Sequence, residues 1–217
     1  MKTSIARKVL MALSGFFLIT FLILHLIINL TSVLSPENYN IASHWMGTNP
    51  VIQFAMQPVL IFGVIFHLAM GIYLELKNNN ARAVKYAMNK PSANASWVSR
   101  NMIYTGIMIF LFLGLHFYDF WIPEIVHKYV HFLPEDSTRY FHELQMKFQD
   151  PVRVGLYCVS FVFLGLHLLH GFQSAFQSVG FSHNRYTPLL KKLGNAFAMI
   201  MAFGFIFIAL FHYVSQL

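Results

Sequence analysis

Eleven histidines stand in this sequence, and six of them interrupt stretches in which almost everything else is apolar: His25, His67, His116, His167, His170 and His212. An imidazole in hydrocarbon is costly and normally has a partner or a task. Its ring nitrogens are bases that hold metal ions or hydrogen bonds. The segment GLHLLHG at 165–171 places two of them three positions apart. The remaining five, His44, His127, His131, His142 and His183, fall in polar connections where a hydrated imidazole is the ordinary reading.

The elements that carry the six are set by composition. The chain has 217 residues, 57% hydrophobic and 11% charged, against about 25% charged in soluble domains. Stretches 9–36, 38–74, 101–118, 154–184 and 193–217 contain no Asp, Glu, Lys or Arg. Each has room for the roughly 20 residues that cross a bilayer as helix, and backbone polar groups in lipid require helix. The expectation is an all-α membrane protein, one transmembrane domain over 1–217, with spans near 9–33, 51–76, 100–121, 152–178 and 189–214. Asn49-Pro50, Asp150-Pro151 and Thr187-Pro188 mark three starts, each with a side-chain acceptor before a proline. The first apolar run follows Lys2, Arg7 and Lys8 but is too long for a signal-peptide core, so it reads as a mature helix.

Cationic residues orient the spans. Lys2, Arg7, Lys8, Lys77, Arg82, Lys85, Lys90, Arg100, Arg185, Lys191 and Lys192 share one side, which predicts a cytoplasmic amino terminus. The net charge of +7 then reflects this bias, and no base-stacking motif accompanies it to suggest nucleic acid. The single cysteine, Cys158, cannot hold an iron–sulfur cluster or a c-type haem.

Depth along the helices orders the histidines. At about 1.5 Å per residue, His25 and His116 reach the same level, about 24 Å from the cytoplasmic end. His67 and His167 share a second level near 14 to 16 Å on the same count. Two facing imidazoles inside a bundle can grip the iron of a b-type haem from both sides, a ligation that leaves no open iron position and so suits electron transfer. Gly15 precedes His25 by ten residues and Gly106 precedes His116 by ten, so both fall near the second level, where a missing side chain would admit a macrocycle. Spacing alone does not choose between His167 and His170. His167 repeats the H-x-x-x-G of His67–Gly71, which makes it the expected ligand and leaves His170 to a haem propionate or a neighbouring subunit. His212, with no mate, is expected at the interface.

At these residues the chain resembles the di-haem, five-helix, single-polypeptide cytochrome b anchor of succinate:quinone oxidoreductases, the succinate dehydrogenases and fumarate reductases. The resemblance rests on ALSGFFLITFLILHLIIN (12–29), PVLIFGVIFHLAMGIYLELK (58–77), RNMIYTGIMIFLFLGLHFYDFW (100–121) and FLGLHLLHGFQSAFQSVG (163–180). It implies two haem b, one on His25 and His116 and the other, nearer the soluble subunits, on His67 and His167, within a bundle of the first four helices. It also implies a flavoprotein and an iron–sulfur partner, a bacterial cytoplasmic membrane, a quinone, usually menaquinone, and an assembly that can pair as a homodimer of heterotrimers. The chain would act as the non-flavin subunit and hold no dicarboxylate site. Certain fumarate reductases of this kind carry a glutamate two residues before the ligand of the fourth helix; Gly165 stands there here, which argues against a proton path of that type.

Quinone chemistry needs hydrogen-bond partners beside a haem edge. Asn29 lies four residues past His25 and Asp119 three past His116, each one turn outward. With Trp121 they form the expected outer quinone pocket. Two other readings are the cytochrome b anchor of a hydrogenase or formate dehydrogenase, which arranges its histidines differently, and a histidine-lined metal or proton transporter, which would need charged or thiol ligands in its path, whereas no carboxylate is expected deep in these spans.

Overall fold

The computed structural model describes residues 4–80 and 101–217, and among them every regular element is helical. Of the cations used to orient the spans, Lys2, Arg82, Lys85, Lys90 and Arg100 lie outside the described residues. The helices are α1 (Ser4–Leu34), α2 (Pro36–Thr48), α3 (Gln57–Asn80), α4 (Met102–His116), α5 (Arg139–Lys147), α6 (Pro151–Ser178) and α7 (Thr187–Val214). Among the described residues, five stretches are long and apolar enough to cross a membrane: Ile5–Leu34, Ile52–Asn78, Met102–Val130, Pro151–Ser178 and Thr187–Val214.

The starts follow from capping chemistry. Asn49 Oδ1 accepts the N–H of Val51 at 3.0 Å and that of Ile52 at 3.3 Å, and Asp150 Oδ1 accepts that of Val152 at 2.9 Å. Thr187 differs from expectation: its hydroxyl instead receives the His183 N–H at 3.3 Å across the preceding turn, and α7 begins without a side-chain cap. A further start, Ser35-Pro36, caps α2 through Asn38 N–H at 3.2 Å.

The third span runs nine residues beyond the expected end at 121. A wide helical turn at Phe117–Trp121 lets the Ile122 N–H reach back to Phe117 O, just before Pro123, and a second wide turn occupies Val126–Val130. Such turns carry a helix past a residue that would break the regular ladder. Glu124 and Lys128, which look like the start of a polar connection, pair at 2.6 Å instead.

α1 packs against α3, α6 and α7, while α6 also meets α4. α7 lies along α6 and α1, outside the four helices that carry the candidate ligands. Small residues permit that approach: a Cβ at Gly165 would lie 2.9 Å from Ala202 Cβ, and one at Gly204 3.0 Å from Leu26 Cδ1. The apolar core, including Phe161, Leu168, Met201, Phe205 and Ile208, fills this side of the bundle.

One end is closed by α2 and α5. Asn40 Oδ1 accepts the Phe141 N–H at 2.8 Å. Arg139 donates to Glu124 and, at 2.7 Å, to Glu143, and Lys128 donates to Gly47 O. Although burial opposes the charge on Arg139, its hydrogen bonds to Glu143 and Glu124 raise its pKa. Burial pushes Tyr39 up to about 12, with a Ser43 hydrogen bond acting the other way. Tyr140 is also pushed up to about 12, by burial first and then by Glu124. At the opposite end Lys8, Lys77, Arg185, Lys191 and Lys192 are exposed.

Candidate cofactor site: two imidazole pairs inside the bundle

Each of the four expected ligands comes from a different span, and they meet two by two. The rings of His25 (α1) and His116 (α4) have centres 5.7 Å apart at an interplanar angle of 88°. Those of His67 (α3) and His167 (α6) are 6.3 Å apart at 66°. Two metal–imidazole bonds of about 2 Å each would put facing ring centres roughly 6 Å apart. No cluster of three or more His, Cys, Asp or Glu suited to a bare metal ion occurs among the described residues. Two axial nitrogens are what a porphyrin, which supplies the other four, requires.

The surroundings of the His67 pair suit such a group. Ser14 Oγ donates its proton to Met11 O at 2.8 Å, and so accepts from His67 Nδ1 at 2.9 Å. Thr105 Oγ1 donates to Met102 O at 2.9 Å and accepts from His167 Nδ1 at 3.1 Å. With the ring proton assigned to Nδ1 by these contacts, Nε2 of each ring carries the free lone pair. Gly15 and Gly106 stand against the same rings: a Cβ at Gly15 would lie 3.7 Å from His67 Cε1, and one at Gly106 3.6 Å from His167 Cε1. The ten-residue glycine spacing therefore places both glycines beside the second pair. Ser14 and Thr105 escaped the sequence reading, although the signal is visible as a hydroxyl residue directly before each glycine.

The His25 pair sits among aromatic rings instead. Phe21 and Phe205 lie 5.3 and 5.8 Å from the His25 ring, and Phe112 and Phe120 lie 5.8 and 5.3 Å from that of His116. His116 Nδ1 is buried with no hydrogen-bond partner. Tyr157 also approaches His116, at 6.4 Å between ring centres.

Asp119, Asn29 and Trp121 are not brought into one pocket. Asp119 is fully buried, with Arg153 Nη1 at 2.9 Å from Oδ1 and the Tyr157 hydroxyl donating to Oδ2 at 2.9 Å. Arg153 and Tyr157 were not singled out in the sequence, because an arginine at a span boundary reads as an ordinary flanking charge. Asn29 Nδ2 donates to His25 O at 2.7 Å on its own helix. Trp121, two residues past Asp119 and so on the other face of the helix, lines a cleft of about 200 Å³ with Gln53, Gln57, Glu124 and Tyr129. Tyr129 donates to Gln53 Oε1 across it at 2.9 Å.

His170 is half-buried on α6. His212 departs from the expected interfacial, unmated position: it is fully buried, stacked at 13° on Phe148, and its Nε2 meets Ser32 Oγ at 2.8 Å. Ser32 gives its own proton to Asn29 O at 2.6 Å, so His212 is the donor. The mate lies 180 residues earlier in the chain. At Gly165 the space for a longer side chain is taken by Ala202 of α7, which explains a small residue there in packing terms.

The chain is similar to the succinate dehydrogenase cytochrome b558 subunit of Bacillus subtilis (strain 168). The two are 24% identical over 183 residues, which cover 83% of this chain and 81% of the relative. No family model and no solved structure matches.

Proposed function

We propose that this chain is the membrane anchor and electron-transfer subunit of a succinate:quinone oxidoreductase. The observation that carries the proposal is the meeting of four imidazoles from four spans in two pairs, at spacings that suit axial ligation. Similarity to a succinate dehydrogenase cytochrome subunit over most of both chains supports it. His67 and His167 would hold one haem b and His25 and His116 a second, each group supplying a one-electron carrier.

The protein's own residues do the rest. Nε2 of His67 and of His167 is kept free of a proton by the Ser14 and Thr105 contacts. Phe21, Phe112, Phe120 and Phe205 keep water from the His25 pair. The exposed cations Lys8, Lys77, Lys191 and Lys192 at the end opposite the cap would face the cytoplasm, where an iron–sulfur protein and its flavoprotein would dock. No dicarboxylate needs to reach this chain.

Quinone, menaquinone by the resemblance, would be reduced or oxidised at the capped end, nearer His25 and His116. Trp121 supplies an aromatic wall to the cleft there, and the Gln53 and Gln57 amides and the Tyr129 hydroxyl supply partners for quinone oxygens. Asn29 bonds the His25 carbonyl on its own helix, and the Asp119 charge is held by Arg153.

Haem extraction from the purified chain tests the proposal. Two b-type haems per polypeptide, reducible by succinate in the assembled complex, are expected; a colourless chain overturns it.

A further inference from the structure

Ser14 and Thr105 occupy equivalent places on two helices. Each is followed at once by a glycine and, eleven residues on, by a histidine of the other pair: Ser14-Gly15…His25 on α1 and Thr105-Gly106…His116 on α4. Neither hydroxyl faces its own helix's histidine. Ser14 receives the Nδ1 proton of His67 from α3, and Thr105, 2% exposed, receives that of His167 from α6.

The direction of these bonds matters. Each hydroxyl has one proton, and each spends it on the backbone carbonyl three residues earlier, at 2.8 Å for Ser14 and 2.9 Å for Thr105. The oxygen presented to the imidazole is therefore an acceptor. An acceptor on Nδ1–H fixes the tautomer and the ring's rotation, and pushes electron density toward Nε2, making it a stronger donor to a metal. A stronger axial donor stabilises the oxidised iron and lowers its potential, since hydrogen bonding to ligands is one of the levers on haem potential. His116 has no such acceptor on its buried Nδ1.

We propose that Ser14 and Thr105 are positioning residues that set the potential of the His67/His167 haem, independently of the His25/His116 haem. The inference rests on the haem reading given above. It adds that the two centres are tuned by different means: hydroxyl acceptors at one and an aromatic shell at the other.

Potentiometric titration of the purified complex, followed optically and by low-temperature electron paramagnetic resonance, tests this. The variants are Ser14→Ala and Thr105→Val, with Ser14→Thr and Thr105→Ser as conservative controls. Expected are two bound haems in every variant, and a shift of one midpoint to higher potential in both Ser14→Ala and Thr105→Val. The same component should move in both, its low-spin signal should change shape, and the other component should hold its wild-type midpoint. The controls should titrate as wild type. Unchanged midpoints with both haems bound, or equal movement of both components, overturn the inference. If a haem is lost in Ser14→Ala or Thr105→Val, the matching control must keep it at the wild-type midpoint; loss in the control as well shows packing alone and also overturns it. A wild-type chain without haem would instead refute the underlying function.

Discussion

Tyr157 on α6 donates a hydrogen bond of 2.9 Å to Asp119 on the third span, and its ring stands 6.4 Å from that of His116. The contact ties a buried carboxylate, also paired with Arg153 at 2.9 Å, to the wall of the His25/His116 pair. Removing one partner of a buried ion pair strands the other, at a cost of about 3 to 5 kcal/mol. Arg153 is 26% exposed, so the lower end applies. Asp119→Asn should lower the thermal unfolding midpoint and disturb the spectrum of one haem. Tyr157→Phe should cost about 1 kcal/mol and leave the haem count intact. Equal stability of Asp119→Asn and wild type would show that the pair contributes nothing.

Replacement of the four proposed ligands separates them from His170 and His212. His67→Ala or His167→Ala should each remove one haem, measured as haem per polypeptide, and His25→Ala or His116→Ala the other. His170→Ala should retain both. His212→Ala should also retain both, but should lose about 1 to 2 kcal/mol of stability as Ser32 loses its donor. A haem lost in the His170 variant and not in the His167 variant would reverse the assignment.

The close approach of α6 and α7 predicts a compensating pair. A methyl at Gly165 would sit 2.9 Å from Ala202 Cβ, so the helices must part or shift. Gly165→Ala should destabilise by about 1 to 3 kcal/mol, and Ala202→Gly in the same chain should recover most of it. Thermal unfolding of the single and double variants checks this; additive losses would contradict the contact.

Alkaline pH should loosen the α2/α5 cap. Tyr39 and Tyr140 are each pushed up to about 12 in the fold, so folding favours their protonated, neutral forms. Their contribution is complete below the unfolded value of about 10 and declines as pH rises from there through about 12. Phenolate absorbance should show these two titrating after the exposed tyrosines, with stability falling over the same window. Replacing both with phenylalanine should flatten that fall; an unchanged alkaline profile would sink the idea.

Much of this was readable from residue types. The five spans follow from uncharged length, and Asn49 and Asp150 cap where a side-chain acceptor precedes proline. The two imidazole pairs follow from counting depth along rigid helices, because a rise of about 1.5 Å per residue accumulates little error over one membrane crossing. What escaped depends on partners distant in sequence. Ser32 gives no sign that His212 will reach it, and Asp119 gives none that Arg153 on another helix will neutralise it. The continuation to Val130 escaped because Pro123, Glu124 and Lys128 each argue for a stop, and only the wide turns and the ion pair let the helix go on. α2 escaped because its apolar face is short and covers a helix end rather than lines a bilayer.

α1 and α4 each bear a ring for one station and a hydroxyl for the other, eleven residues apart. Sliding either rod by a single residue would therefore spoil both stations together, never one alone. The arrangement works as a vernier with two marks: correct seating at one level certifies the register at the other, and a chain assembled out of step is blind at both.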